Sequence, residues 1–171
     1  MNKTEFIARS QNGIDVYYDP VGSHAATHLE DTPQLKSLVK EVIGQMTLED
    51  DAIMANVDMG RVVGTSDVVN IDESDDIVYA VRKNRDDDGH VPFTKSREGE
   101  PCPFVSVQLT KLIGDSYVLD SCWIGTFTKD DEPFPESPRA TERSREFWSK
   151  RAFVWGSQEI RPDSVLDNCP W

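Results

Sequence analysis

The residues best suited to chemistry lie in one short stretch, Arg82-Lys83-Asn84-Arg85-Asp86-Asp87-Asp88-Gly89-His90. Arginine and lysine can hold the oxygens of a phosphodiester, and histidine can move a proton near neutral pH. Alternation along a strand places Arg82 on the opposite face from Lys83 and Arg85, so the three cations converge only if a bulge intervenes. The alternative is a solvated hairpin tip whose acidic and basic side chains pair locally.

This stretch predicts metal-independent cleavage of RNA, in which the 2′-hydroxyl group attacks the neighbouring phosphate. His90 is the candidate general acid or base. Lys83, Arg85 and Lys95 are the candidates for stabilising charge on the phosphorane. The sequence contains no nucleotide-binding loop, nucleophile elbow or zinc-protease motif. No motif therefore supports an enzymatic activity independently of this stretch, and the sequence leaves open whether the protein is an enzyme.

The charge of the chain is unevenly distributed. The 171 residues carry a formal net charge of −13, with −10 in residues 1–76, +1 in residues 77–114 and −4 in residues 115–171. RNA binding therefore needs a local basic strip, because an acidic chain does not attract phosphate over its whole surface. The candidate nucleic-acid-binding residues of such a strip are Arg82, Lys111, Arg143, Arg145 and Arg151.

The same charge supports a second class of function. The negative surface of residues 1–76 can neutralise a basic protein partner, as an antitoxin or a nucleic-acid mimic does. In that case the protein is a non-enzymatic interaction protein. A third interpretation is that the acidic surface only keeps the chain soluble.

The sequence predicts no metal site and no other cofactor. His24 and His28 have the four-residue spacing by which one helical turn presents two imidazoles to a metal. However, Pro20 and Gly22 precede them and no apolar stripe indicates a helix, which favours surface or loop histidines.

The sequence predicts a cytoplasmic protein that does not enter a membrane. The first residues lack the features of a secretory signal, and no run approaches the roughly 18 apolar residues of a membrane span. The three cysteines, Cys102, Cys122 and Cys169, are an odd number and widely spaced, which is typical of reduced thiols.

The hydrophobic pattern predicts an α+β fold in a single domain, residues 1–171. N-terminal helices come first, followed by a mostly antiparallel sheet of four or five strands. The clearest helix begins at Pro33 and carries an apolar stripe with the 3.6-residue period of a helix. A second, shorter helix is predicted from Leu48, Ala52, Ile53 and Ala55.

The sheet is predicted from strong β patterns in the second half of the chain. The predicted strands are Ile77–Arg82, Phe104–Leu112, Tyr117–Ile124 and Ala152–Trp155, and the second and third form a hairpin. Three prolines exclude regular structure in residues 130–138, and a short helix follows at Thr141–Lys150. Residues 1–57 are thus predicted as a mainly helical part, 58–156 as the sheet part and 157–171 as a C-terminal tail.

Part of the chain resembles a group of uncharacterised proteins from bacteria and their phages. The segments that carry the resemblance are Gly60–Gly64, Ile77–Arg85, Ser121–Gly125, Glu146–Trp148 and Val154–Gly156. The order of elements is also similar to the small metal-independent ribonuclease toxins of the barnase, colicin and RelE-like folds. That architectural resemblance implies an RNA-interacting, endoribonuclease-like domain, although those toxins are usually basic and this chain is acidic.

Overall fold

The structure is a computed structural model that describes residues 3–127 and 132–171. These residues form three α-helices and eleven strands. The helices are α1 (His24–Asp31), α2 (Pro33–Gln45) and α3 (Glu142–Ser149). The strands are β1 (Glu5–Arg9), β2 (Asp15–Tyr18), β3 (Ala52–Asp58), β4 (Gly64–Ser66), β5 (Val68–Asn70), β6 (Ile77–Val81), β7 (His90–Thr94), β8 (Glu100–Cys102), β9 (Phe104–Lys111), β10 (Tyr117–Ile124) and β11 (Arg151–Val154).

The chain divides into two compact units. Unit 1 comprises Met1–Gly64 and Cys102–Thr126, and unit 2 comprises Thr65–Pro101 and Phe127–Trp171. Unit 1 contains a five-stranded sheet of order β1-β2-β10-β9-β3, and unit 2 a four-stranded sheet of order β5-β11-β7-β6. β4 and β8 pair as a separate two-stranded sheet. None of the helices described is long and apolar enough to cross a bilayer.

The α+β class is confirmed, but the predicted order of helices and sheet is wrong. The helices do not all precede the sheet, since β1 and β2 come before α1 and α3 follows β10. The sheets are mixed rather than purely antiparallel: most of the strand pairs described run antiparallel, but β10 runs parallel to β2 and β11 runs parallel to β7. Parallel neighbours require long crossover connections, which the hydrophobic period of single strands does not reveal.

The predicted stripe of α2 forms part of the core of unit 1. Pro33 occupies the start of the helix, where its missing N–H group costs no hydrogen bond. The buried residues of α2 are Leu35, Leu38, Val39, Val42 and Ile43. They pack with the inner residues of β9 and β10, so the helix prediction and its buried face are both confirmed.

The predicted second helix is wrong, because its residues form strand β3. Ala52–Asp58 pairs with β9 in antiparallel register along all seven residues. Within β3, Ile53, Ala55 and Val57 lie on the half-buried side and pack against the core of unit 1. The alternation of these apolar residues fits a strand, while the spacing of Leu48, Ala52 and Ala55 fits a helix. Pairing with β9 stabilises the strand.

His24 and His28 lie on a helix rather than in a loop, and His24 is exposed, so of the two predicted settings, surface or loop, the loop is wrong. Ser23 is the N-cap of α1, and its Oγ accepts a hydrogen bond from the backbone N–H of Ala26 at 3.0 Å. Such a cap satisfies one of the free N–H groups at a helix start. The short α1 then buries Ala25, Ala26 and Leu29, a stripe too sparse to recognise in the sequence.

The core of unit 2 is aromatic. Phe93, Phe134, Trp148 and Phe153 are buried and lie with ring centroids 4.7–5.9 Å apart in the pairs Phe134–Trp148, Trp148–Phe153, Phe93–Phe153 and Phe134–Phe153. The Trp148 indole N–H donates to the carbonyl of Glu132 at 3.2 Å, which satisfies its one polar atom.

The C-terminal segment lies along β6. Tyr79 and Leu166 exchange two backbone hydrogen bonds of 2.8 Å, and the Arg161 N–H donates to the carbonyl of Val81 at 2.9 Å. These bonds satisfy the outer edge of β6, which the sheet otherwise leaves without a partner strand.

Arg97 ties together the two turns that precede β6 and follow β7. Its Nε lies 2.8 Å from Asp75 Oδ1, and its Nη2 lies 3.0 Å from Asp72 Oδ2. The hydrogen bond from Arg97, with help from the backbone N–H of Asp72 and from Ser96, lowers the pKa of Asp75 from 3.8 to about 2.

We expect Arg97→Gln to destabilise the protein in a pH-dependent way. Because folding lowers the Asp75 pKa, the ionised carboxylate stabilises the fold above the pKa of the unfolded chain, and this contribution disappears between about pH 5 and pH 2. Urea unfolding at a series of pH values measures it. The difference between wild type and Arg97→Gln is expected to shrink across that window. Lys40→Gln, which removes an exposed lysine with no ion pair to a described residue, provides the pH-independent control.

Candidate functional site

The β6–β7 turn, residues 82–89, holds three of the predicted site residues, Arg82, Lys83 and Arg85, and His90 follows it directly. Val81 pairs with His90 at the end of the antiparallel hairpin. Between them, Asp86–Asp88 forms a 3₁₀ turn, and Asn84 and Gly89 take positive φ angles of 61° and 68°. The turn is therefore irregular, and its side chains do not follow the alternation of a continuous strand.

Arg82 and Asp88 form a buried ion pair inside this turn. Arg82 Nη2 lies 2.9 Å from Asp88 Oδ2, and the two side chains are only 15% and 1% exposed. The guanidinium group also lies 4.9 Å from the ring centroid of Phe134 and 5.5 Å from that of Phe153. Burial lowers the pKa of Arg82, and the hydrogen bond to Asp88 opposes this shift. Arg82 is thus part of the interior of unit 2.

Both ring nitrogens of His90 contact oxygen acceptors of the protein. Nδ1 lies 2.9 Å from Glu136 Oε2, and Nε2 lies 3.0 Å from the backbone carbonyl of Ser164. Ser164 is itself fixed, since its hydroxyl accepts from Val81 N–H at 2.8 Å and donates to the Arg161 carbonyl at 2.6 Å. In this arrangement His90 presents neither ring nitrogen to a substrate.

Glu136 also holds the start of β7. Its carboxylate accepts the backbone N–H of His90, and it packs so closely on Gly89 that a Cβ there would lie 2.3 Å from the Glu136 Cβ. The absence of a side chain at Gly89 is therefore required for both its φ angle and this contact. Residues 133–138 form no helix or strand, as predicted, while Asp130 and Asp131 lie outside the described residues.

The four residues predicted for RNA cleavage do not all lie at one end of the hairpin. Lys83 and Arg85 are in the turn beside His90, and Lys83 Nζ is 3.5 Å from an oxygen of the exposed Glu159. Lys95 follows the opposite end of β7. At a rise of about 3.3 Å per residue, it lies roughly 17 Å along the strand from His90. Its amine instead lies 4.6 Å from the ring centroid of Trp155.

The other predicted RNA contacts lie in different local settings. Arg143 pairs with Glu132 at 2.8 Å, and Arg151 lies 4.1 Å from the ring centroid of Phe147. Arg145 is exposed and makes no ion pair with a described residue. Lys111 belongs to unit 1, where its amine is 3.2 Å from Asp115. Two of these four cations, Arg143 and Lys111, are therefore paired with acids.

Comparisons with known proteins add no family to this description. No family model, curated protein or solved structure matches the chain. The resemblance to bacterial and phage proteins stays a prediction.

The sequence did not identify the residues that organise this site. Glu136 and Ser164 are 46 and 74 positions from His90, and nothing near them in the sequence indicates that contact. Asp88 belongs to the charged stretch together with Asp86 and Asp87, and the sequence does not indicate that it is buried. Only its burial beside Arg82 distinguishes it from Asp86 and Asp87, which are exposed.

We expect Asp88→Ala to destabilise the protein by about 3–5 kcal/mol, because it leaves the Arg82 charge buried without its counterion. Urea unfolding followed by tryptophan fluorescence measures the change. Replacing both partners, as in Arg82→Met with Asp88→Leu, is expected to cost less than the single substitution. Glu159→Gln breaks the exposed pair with Lys83 and is expected to cost less than about 1 kcal/mol. Equal costs for Asp88→Ala and Glu159→Gln would contradict the buried pair.

Proposed function

We propose that the protein is a non-enzymatic interaction protein whose acidic surface binds a basic protein partner. The observation that carries the proposal is the difference between the basic side chains, several of which are in contact with acids or aromatic rings, and the acidic side chains, which are in excess. Several of the cations available for phosphate contact are held by carboxylates or aromatic rings, whereas both units keep an excess of acid. Unit 1 has 12 acidic and 6 basic side chains, and unit 2 has 19 and 12.

An acidic run in unit 1 is well placed for such a partner. Glu49, Asp50 and Asp51 precede β3, are exposed, and make no ion pair with a described residue. Their backbone is held by the Tyr117 hydroxyl, which donates to the Asp50 carbonyl at 2.7 Å, and by Lys111 N–H, which donates to the Asp51 carbonyl at 2.8 Å. The negative charges therefore have a fixed position, which favours electrostatic complementarity with a basic surface.

The test is a binding experiment with two variants of equal charge change. The purified protein is immobilised and used to capture partners from a nuclease-treated extract of the source cells. A basic protein recovered in this way is then purified, and its affinity for the protein is measured by titration. Glu49→Gln/Asp50→Asn/Asp51→Asn is expected to weaken binding about tenfold, since each exposed charge pair contributes roughly 0.2–1 kcal/mol.

The matched control carries three substitutions in unit 2, Asp87→Asn/Asp163→Asn/Asp167→Asn, at exposed acids. It is expected to bind as the wild type does, apart from a small change in salt dependence. If an untreated extract yields RNA that is retained in a salt-sensitive way, and neither extract yields a basic protein, the proposal is contradicted. Equal loss in both variants would show that only net charge matters.

RNA cleavage is a second candidate, and the contact between His90 and Glu136 favours it. A carboxylate that fixes one imidazole nitrogen orients the ring for proton transfer, and the two side chains remain 23% and 28% exposed. For this role the contact between Nε2 and the Ser164 carbonyl must open. Arg85 makes no ion pair with a described residue and can contact phosphate.

If this candidate is correct, the protein cleaves tRNA or single-stranded RNA in the presence of a metal chelator. His90→Ala is then expected to reduce the rate by about 10²–10⁴-fold, the usual contribution of general acid–base catalysis. Lys40→Gln, an exposed lysine of unit 1, serves as a control for overall charge. The absence of cleavage, or cleavage unchanged by His90→Ala, removes His90 from any catalytic role.

A further inference from the structure

The two histidines of α1 lie unusually close together. His24 and His28 are one helical turn apart, so their side chains lie on the same side of the helix. Their Nε2 atoms are 3.0 Å apart, and their rings are nearly perpendicular with centroids separated by 4.5 Å. A hydrogen bond between one N–H donor and one unprotonated nitrogen accounts for this distance in the absence of a metal.

The same distance suits two imidazoles bound to one metal ion. With metal–nitrogen bonds of about 2.0–2.1 Å, nitrogens 3.0 Å apart subtend an angle of about 91–97° at the metal. That value is near the right angle between neighbouring ligands in square-planar or octahedral coordination. It is smaller than the tetrahedral angle of about 109° that Zn²⁺ prefers. Square-planar or tetragonal nitrogen sites are typical of Cu²⁺ and Ni²⁺.

The surroundings of the pair favour a cation. Glu30 and Asp31 are exposed acids on the same short helix, and unit 1 is net negative. Among the described residues, no group of three or more histidine, cysteine, aspartate or glutamate side chains could hold a metal ion. The protein would thus supply two ligands, and water would fill the remaining positions.

We infer that His24 and His28 form a bidentate surface site for one divalent cation of the copper–nickel class. Each imidazole binds through Nε2 as a neutral ligand with its proton on Nδ1. The ring whose Nε2 donates the hydrogen bond therefore loses that proton to water and takes one up at Nδ1, and the hydrogen bond between the two rings is replaced by the two metal–nitrogen bonds. Neither histidine belongs to the acidic run of residues 49–51 or to the β6–β7 turn.

The test uses Ni²⁺ alone as the probe and the chain without an affinity tag. Titration calorimetry of the wild type is expected to show one Ni²⁺ per chain. Linking two ligands makes the second contact intramolecular, so removing either one is expected to weaken binding about 100-fold. His24→Ala and His28→Ala are the test variants. His90→Gln is the matched control, because the chain has only three histidines.

A second measurement needs no variant and so does not depend on how well one folds. In proton NMR of the wild type, Ni²⁺ bound octahedrally by the two imidazoles and water is paramagnetic and is expected to broaden the ring signals of His24 and His28 before those of His90. The inference fails if Ni²⁺ does not bind, if His90→Gln weakens binding as much as the test variants, or if the His90 signals broaden first. In any of those cases the pair is a hydrogen-bonded contact only.

Discussion

The buried pair of Arg82 and Asp88 is the interaction on which unit 2 depends. A guanidinium group among aromatic rings keeps its charge, and without a counterion the desolvation of that charge costs several kcal/mol. Phe134 and Phe153 lie against the Arg82 guanidinium, and the carboxylate that pairs with it comes from the turn itself. The 3₁₀ turn and the positive φ of Gly89 allow the chain to place Asp88 there and then begin β7 at His90.

The contacts of His90 follow from that turn. Once Gly89 is in place, the backbone approaches closely enough for Glu136 to accept two hydrogen bonds from His90. The C-terminal segment lies along β6 and brings the Ser164 carbonyl to the other ring nitrogen. Three distant parts of unit 2 therefore meet at one imidazole ring. That convergence accounts for a structural role of His90 without requiring catalysis.

The acidic and basic side chains are used in different ways. Where cations lie close to acids they pair with them, as Arg143 does with Glu132 and Arg61 with Glu41. Because acids outnumber bases in both units, pairing leaves a negative remainder on the surface. A negative surface repels nucleic acid at long range and attracts basic proteins. This physical consequence links the composition of the chain to the proposed function.

Elements with strong local patterns were predictable from the residues. The stripe of α2 and the hairpin of β9 and β10 lie where the periodicity indicates, because each is defined by residues near one another in the sequence. The amino-acid sequence also establishes the acidic balance and the α+β class. The identity of β3 was decided by its pairing with β9, since its apolar residues satisfy a helix and a strand equally well. The partners of Arg82 and His90 likewise depend on the tertiary structure, because burial and close approach arise only when distant segments have folded together. The two histidines of α1 approach each other only when the capped helix has formed.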